Sequence, residues 1–241
     1  MIAFILAAGP STRLTTLTLN KHKCLLEIID NLKIIDIELI NLRENGIRDV
    51  VISVGHYKEK IESHIISNYS DMNFTFVYNE KYINTNCIYS MWLCRDHLNE
   101  DMIFLTGDLV FESKVIKDMI DSNLNNIMYV NPKADLNKED FKIEIGDNGF
   151  IKKIGVDIFS ENANSCYPLY KLSSSFMHIW MNEIDIYIQN NKTDLYGEDA
   201  FNSISDKINL SPMFTTDFCM EIDDHNDLIK AKKYYGENGF K

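Results

Sequence analysis

The first half of the chain alternates between two kinds of apolar pattern, and this alternation restricts the possible folds more than any other feature. Residues 2–8 form a continuous apolar run, which is typical of a strand buried on both faces of a sheet. Residues 33–45 instead place apolar side chains near helical spacing and end before Gly46, a natural helix terminator. The elements predicted in order are strand 2–8, helix 33–45, strand 49–54, helix 57–68, strand 74–78, helix 87–98 and strand 102–106. This order predicts an α/β fold with a mostly parallel central sheet and helices on both faces.

The second half is less regular and predicts a small antiparallel insertion. The turn at Asp147-Asn148-Gly149 is typical of a hairpin. The elements expected here are strands 126–130, 141–145 and 150–154 and helices 173–190 and 224–236. Because no linker interrupts the sequence, residues 1–241 are expected to form a single domain.

Composition excludes several classes of function. The chain has 24 Lys and Arg against 36 Asp and Glu, a net charge of −12, which argues against nucleic-acid binding because phosphate neutralisation needs a basic face. The apolar run at residues 1–8 is too short to span a bilayer and lacks a basic leader, so no membrane insertion is expected. Five scattered cysteines without a Cys-x-x-Cys motif indicate reduced thiols in a cytoplasmic protein.

A loop of small residues follows the first strand and reads Ala7-Ala-Gly-Pro-Ser-Thr-Arg13. Small side chains allow a phosphate to approach the backbone, and the N–H groups of residues 11–13 could form an anion-binding nest. Arg13 adds a bidentate donor, and Lys21 and Lys23 follow shortly after. An ordinary strand-to-helix turn would show much the same pattern, so this motif alone leaves both interpretations open.

Two acidic positions follow apolar strands in a similar way. Asp108 comes after Gly107 at the end of strand 102–106, and Asp223 ends the segment Cys219-Met-Glu-Ile-Asp. Magnesium prefers hard oxygen ligands and commonly uses one or two carboxylates together with substrate phosphates. Asp108 could equally be a turn or cap residue, and Asp223 could cap the helix that follows.

In combination these motifs resemble the nucleotidyltransferases related to sugar-phosphate pyrophosphorylases. The resemblance rests on LAAGPSTRL at 6–14, Lys23-Cys-Leu-Leu, Gly107-Asp108 and Glu221-Ile-Asp223, in that order and spacing, and it runs from residue 1 to about 236. The segments at 79–93 and 194–199 look closer to the small cytidylyltransferases that activate phosphocholine and 2-aminoethylphosphonate.

The resemblance implies a Rossmann-like fold with a mixed central sheet and attack of an acceptor phosphate or phosphonate on the α-phosphorus of CTP. The catalytic residues it implies are Lys23 at the α-phosphate, Arg13 at the leaving pyrophosphate, and Asp108 and Asp223 as ligands of Mg²⁺. The nucleotide contacts it implies are Ala7, Ala8, Gly9, Ser11, Thr12, Arg13, Lys23, Asn86, Ser90 and Gly107.

The same resemblance implies an acceptor pocket. Tyr196, Glu198 and Glu221 fall on positions where relatives place an aromatic and acidic pocket for a cationic head group. Lys142 is the candidate for contacting the acceptor's phosphate or phosphonate. The segment 164–170 looks unlike the usual glycine-containing strand of the family.

The chain departs from the family motifs at two positions. Ser11 stands where the loop usually has its second glycine, next to Pro10, which has no N–H, and His22 replaces the proline before Lys23. Two alternatives to a CTP-dependent enzyme therefore stay open. One is a sugar-1-phosphate nucleotidyltransferase, and the other is a non-catalytic nucleotide-binding regulatory subunit. The expected partners are CTP and the small acceptor, and a homodimer is left open.

Overall fold

The centre of the molecule is the parallel sheet that the first half of the sequence predicts. In the computed structural model, which describes residues 1–11, 14, 17–132, 140–160 and 162–240, strand β1 (Ile2–Ala7) is an interior strand of this sheet. It pairs in parallel with β4 (Asp49–Val54) on one side and β6 (Met102–Thr106) on the other. Strand β5 (Asn73–Tyr78) extends the sheet beyond β4. The predicted α/β class with a mostly parallel central sheet is confirmed.

Further strands make this sheet mixed. In the described part of the chain it has nine strands, and β11 (Asn164–Leu172) runs antiparallel to β6, β8 and β9. The remaining strands of the sheet are β8 (Ile127–Asn131), β9 (Lys142–Ile145), β10 (Ile151–Gly155) and β12 (Ser211–Phe214). Two small separate sheets pair β2 (Glu27–Ile29) with β3 (Leu32–Lys33), and β7 (Leu109–Phe111) with β13 (Cys219–Glu221).

The α-helices cover both faces of the sheet. They are α1 (Ile34–Glu44), α2 (Lys58–Asn68), α3 (Cys87–Cys94), α4 (Ser113–Asp121), α5 (Ser174–Gln189), α6 (Gly197–Ile204) and α7 (His225–Asn238), and short 3-10 helices cover Lys23–Leu25 and Arg95–His97. Along β1 the side chains alternate, so that Phe4 packs with α3, α5 and α6 whereas Ile5 packs with α1, α2 and α4. Helix α7 packs in a third apolar cluster against α1 and Val110.

Strand β11 is not among the elements that the sequence patterns predict. Pro168 lies inside it, and a proline cannot donate a ladder hydrogen bond. The structure accommodates it with a register shift between Cys166 and Tyr170 in the pairing with β8. The segment 164–170, which looks unlike the family's usual strand, is therefore a bulged strand.

No helix among the described residues is long and apolar enough to span a membrane. The five cysteines are free, and burial raises the pKa of each thiol, with that of Cys94 raised to about 12.

Candidate functional site

A cleft of about 250 Å³ opens at the carboxyl ends of β1, β4 and β6. Ligands of open α/β sheets bind at this edge, beyond the ends of the strands. Three side chains from adjacent strands lie in register along it, since Leu6 pairs with both Ser53 and Thr106. The predicted site residues that line the cleft are Ala8, Gly9, Ser11, Lys23, Asn86, Ser90, Asp108, Tyr196 and Asp223.

Among the described residues, the charged centre of the cleft is one lysine between two aspartates. Lys23 Nζ contacts Asp108 Oδ2 and lies 3.2 Å from Asp223 Oδ1. The three side chains are only 16%, 10% and 23% exposed, respectively. The two carboxylates, far apart in the sequence, therefore converge on a single point.

This convergence follows from the small sheet formed by β7 and β13. Asp108 lies in the turn between β6 and β7, and Glu221 of β13 pairs with Leu109 of β7. The backbone N–H of Ile222 donates to the carbonyl of Asp108 over 2.9 Å. These contacts place Asp223 directly beside Asp108.

The alternative that Asp223 caps the final helix is wrong. Asp224 is the N-cap of α7, where its Oδ1 accepts from the N–H groups of Asn226 and Asp227. The carboxylate of Asp223 points instead to Lys23. Adjacent aspartates thus have separate functions, one in helix capping and one in the cleft.

Electrostatics keep Lys23 protonated. Burial alone would lower the pKa of Lys23, but the Asp108 carboxylate and then Asp223 raise it, and the net pKa lies above the ordinary lysine value. The ammonium is therefore a permanent positive charge in the cleft, suited to interaction with phosphate oxygens.

The carboxylate pair fits a divalent cation such as the Mg²⁺ that the sequence resemblance implies. Hard oxygen donors converge from two strand ends. Within the described ranges no group of three or more Asp, Glu, His or Cys side chains could hold a metal ion unaided. Such a two-carboxylate set is typical of a cation that completes its coordination shell with substrate phosphates and water.

The loop after β1 approaches this centre from one side. Gly9 and Ser11 line the cleft, whereas Ala7 is buried beneath it. Gly107, also predicted to contact nucleotide, lies behind the loop and donates its N–H to the carbonyl of Leu6 over 2.9 Å. The predictions for Thr12 and Arg13 fall outside the described residues.

The opposite side of the cleft is polar but uncharged. Asn79 donates to Thr85 Oγ1 over 3.1 Å and to Ser90 Oγ over 3.0 Å. Asn86 lines the cleft and also caps α3, because its Oδ1 accepts from the N–H of Cys87. Ser90 lies within α3 rather than at its end, so it does not cap the helix.

Sequence reasoning missed Ser53 and Thr106. Both line the cleft, and neither buried hydroxyl has a hydrogen-bond partner among the described residues. Their position at the carboxyl ends of predicted strands was the available signal. Such hydroxyls are suited to hydrogen bonding with a bound ligand.

The four residues predicted to bind the acceptor differ in their exposure and in their distance from the cleft. Tyr196 is 39% exposed at the mouth of the cleft, with its ring edge-on to Phe141. Glu198 is buried behind it and accepts from Tyr170 Oη over 2.8 Å, and burial raises the pKa of its carboxyl group. Glu221 lies near enough to Lys23 to raise that residue's pKa.

Lys142 lies outside the residues that line the cleft. It is 1% exposed, and its Nζ donates to the carbonyls of Asp140 and Val156 over 2.7 and 2.8 Å. In this structure its amine thus links the two ends of the β9–β10 hairpin.

Gly55, directly after β4, lies in close contact with the loop that follows β1. A Cβ atom there would lie 2.3 Å from the carbonyl oxygen of Ala8 and 2.9 Å from Tyr82 Cβ. We therefore expect Gly55→Ala to displace Ala8, lowering the free energy of unfolding by about 1–3 kcal/mol and weakening nucleotide binding. Urea denaturation and calorimetric titration with nucleotide measure the two effects.

Gly155→Ala is the matched control, because a Cβ there meets nothing within 4 Å. It should change stability by less than about 0.5 kcal/mol and leave nucleotide affinity unchanged. Wild-type nucleotide affinity in Gly55→Ala would show that the loop does not depend on this contact.

Comparison with known proteins agrees with this geometry. A family model described as Nucleotidyl transferase matches residues 2–162. Choline-phosphate cytidylyltransferase of Streptococcus pneumoniae is 29% identical over 157 residues, covering 65% of this chain and 64% of that protein, a little under two thirds of its length. CTP:phosphoglutamine cytidylyltransferase of Campylobacter jejuni is 27% identical over 198 residues, covering 73% of this chain and 75% of that protein.

Solved structures show the same fold. The CTP:phosphocholine cytidylyltransferase of Streptococcus pneumoniae superposes with a TM-score of 0.80 at 23% identity, covering 97% of this chain and 98% of the other. The inositol-1-phosphate CTP transferase of T. maritima has a TM-score of 0.77 at 18% identity, covering 99% and 97%. The predicted fold is thereby confirmed.

Proposed function

The chain belongs to the nucleotidyl transferase family, and we propose that it transfers a cytidylyl group from CTP to a small phosphorylated or phosphonate amine. The observation that carries this proposal is the convergence of Lys23, Asp108 and Asp223 beside the small-residue loop. The CTP preference is supported by the two relatives described above, whose names specify cytidylyl transfer.

The proposed reaction is a displacement at the α-phosphorus of CTP. An oxygen of the acceptor's phosphate or phosphonate forms a new bond to that phosphorus. The bond from the α-phosphorus to the oxygen bridging to the β-phosphate breaks, and pyrophosphate leaves with both bonding electrons. Negative charge spreads over the phosphoryl oxygens in the transition state, so positioned positive charges supply most of the catalysis.

The residues of the cleft match these requirements. The Lys23 ammonium would stabilise charge at the α-phosphate, and the backbone at Gly9 and Ser11 would face the β- and γ-phosphates. Arg13 is assigned to the pyrophosphate from the sequence alone.

Asp108 and Asp223 would hold Mg²⁺ in this proposal. When bound, the ion would neutralise charge on the phosphate oxygens. Lys23 already lies between the two carboxylates, so it holds them together before any cation arrives.

The cytosine is assigned to the uncharged side of the cleft, near Ala8, Asn86 and Ser90. Ser90 Oγ already accepts from Asn79, which leaves the hydroxyl proton to donate to a pyrimidine oxygen or ring nitrogen. A neutral, hydrogen-bonding surface suits a base better than a phosphate.

An amine-bearing acceptor is supported by the mouth of the cleft. The exposed ring of Tyr196 could stack on an ammonium group. Glu198 and Glu221 are assigned to the same head group from the sequence alone. Lys142 would reach the acceptor's phosphate only after leaving the two carbonyls it binds here.

The test is a nucleotide and acceptor panel. Purified protein with Mg²⁺ is incubated with CTP, UTP, dTTP or ATP and with phosphocholine, phosphoethanolamine, 2-aminoethylphosphonate or glucose 1-phosphate, and released pyrophosphate is followed. Turnover is expected with CTP and an amine-bearing acceptor, and it should disappear in Asp108→Ala. Asp206→Ala, which removes a carboxylate of an exposed ion pair with Lys152, should retain full turnover.

Other results would overturn the proposal. Turnover with UTP or dTTP and glucose 1-phosphate would identify a sugar-phosphate enzyme. Thermal stabilisation by nucleotide without pyrophosphate release from any acceptor would identify a regulatory nucleotide-binding protein.

A further inference from the structure

The two positions at which this chain departs from the family motifs lie next to each other in space. Ser11 belongs to the loop after β1, and His22 begins the short turn that carries Lys23. Ser11 has a φ of 57°, in the left-handed region. The glycine usual in the family adopts this region without steric strain, whereas a serine is strained there. A strained residue at this point needs compensating contacts.

The ring of His22 makes two hydrogen bonds to the backbone of this region. Its Nδ1 accepts from the backbone N–H of Cys24 over 3.2 Å, and its Nε2 lies 2.9 Å from the carbonyl oxygen of Gly9. Because a backbone N–H can only donate, Nδ1 carries no proton. Nε2 therefore carries the hydrogen and donates it to Gly9.

The ring is held in this neutral form. His22 is 2% exposed, and burial, followed by the charge of Lys23, lowers the pKa of His22 to about 4. The same tautomer therefore persists throughout the neutral pH range.

Ser11 supplies the second connection. Its hydroxyl accepts from the backbone N–H of Lys23 over 3.2 Å, and its carbonyl accepts from Thr18 Oγ1 over 3.1 Å. Two hydrogen bonds thus join the turn to the loop: His22 donates to the carbonyl of Gly9, and the N–H of Lys23 donates to the hydroxyl of Ser11.

We propose that Ser11 and His22 act as one unit that ties the phosphate-facing loop to the Lys23 turn and positions the Lys23 ammonium before nucleotide binds. They are positioning residues, and the inference rests on the proposed function of Lys23. A proline would fix the backbone at position 22 through its ring. His22 has a φ of −68°, which a proline could also adopt, and in this chain the imidazole hydrogen bonds hold the turn in place.

The test is a double-mutant cycle of His22→Ala, Ser11→Ala and the double variant. It measures kcat, KM for CTP and the acceptor, CTP affinity by calorimetry without acceptor, and Tm. His22→Ala should lower kcat/KM for CTP roughly tenfold, as expected for one or two lost hydrogen bonds, without changing KM for the acceptor. The double variant should lose little more than His22→Ala alone, because the two residues act as a unit.

His22→Asn separates positioning from stability. An asparagine can still accept from the N–H two residues on, but it is too short to reach Gly9. It should restore much of the Tm lost in His22→Ala without restoring kcat/KM or CTP affinity. As the control, His64→Ala breaks a hydrogen bond of 2.6 Å to Asp36 and should lower Tm while leaving both CTP parameters unchanged.

Three outcomes would overturn the inference. The first is a loss of kcat/KM for CTP in the double variant equal to the product of the two single losses. The others are a wild-type kcat/KM and CTP affinity in His22→Ala, or full recovery of both in His22→Asn. Failure of the proposed function itself would appear separately, as a wild-type protein that turns over no acceptor. The calorimetric CTP affinities would still report on the Ser11–His22 unit in that case.

Discussion

Replacing Lys23 with methionine should lower turnover by about 10²–10³-fold, the loss expected when a preorganised charge at a phosphoryl transition state is removed. Methionine preserves much of the side-chain length and its packing but carries no charge. KM for the acceptor should change little, because Lys23 is assigned to the α-phosphate of CTP and not to the acceptor. Steady-state pyrophosphate release at saturating CTP measures the effect.

The same variant should be less stable in metal-free buffer. Lys23→Met leaves the partly buried Asp108 and Asp223 without their shared cation, which we expect to cost about 3 kcal/mol of unfolding free energy. The folded protein raises the pKa of Lys23, so the stability that this lysine contributes is present below the ordinary lysine pKa and is lost as the pH rises through the pKa of the folded state. Added Mg²⁺ should stabilise the variant more than the wild type.

Lys21→Met is the matched control, since Lys21 lies two residues away and outside the residues that line the cleft. It should retain both turnover and stability. Near-normal turnover in Lys23→Met would remove this lysine from the reaction and leave the cleft without its central charge.

The first half of the fold could be predicted because its strands are long and its hydrophobic periods are regular. Strand β4 covers the residues expected, α1 is one residue shorter than expected at each end, and β5 begins one residue earlier. Prediction failed for strands β7 and β13, which have three residues each, too few for a period to show. It also failed for the nine-residue β11, because Pro168 interrupts its strand pattern.

These short elements determine the site. Nothing in the sequence shows that Glu221 pairs with Leu109, yet that pairing brings Asp223 to Asp108. Only the resemblance to a family predicted that Asp108 and Asp223 belong to one site, because local sequence patterns do not show which distant strands pair. Ser53 was missed for a related reason, since its importance depends on its register with Leu6 on the neighbouring strand.

Lys142 illustrates a different limit of sequence reasoning. Its residue type suggested a contact to an anionic acceptor. In the structure, however, Lys142 is buried and its amine donates to two backbone carbonyls. A lysine stem can be buried while its charge is directed to either a ligand or the backbone, and sequence does not distinguish the two. The prediction that Lys142 binds acceptor remains untested.

Asp223→Ala should reduce turnover by about 10²–10³-fold, because it removes one of the two carboxylates assigned to Mg²⁺. The concentration of Mg²⁺ needed for half-maximal activity should rise sharply. Thermal stability should change much less than turnover, since the backbone pairing of β7 with β13 and the cap of α7 do not use this side chain. A magnesium titration of pyrophosphate release, with Tm measured in parallel, separates the two effects.

The neighbouring Asp224→Ala is expected to behave in the opposite way. It removes the N-cap of α7 and should cost about 1 kcal/mol of stability, yet leave the magnesium dependence and turnover unchanged. The two substitutions change the same residue type at adjacent positions, so each removes the same charge from the same region of the chain. Equal effects of the two on turnover would mean that Asp223 acts through helix α7. A selective loss in Asp223→Ala would mean that the carboxylate itself takes part in holding the cation.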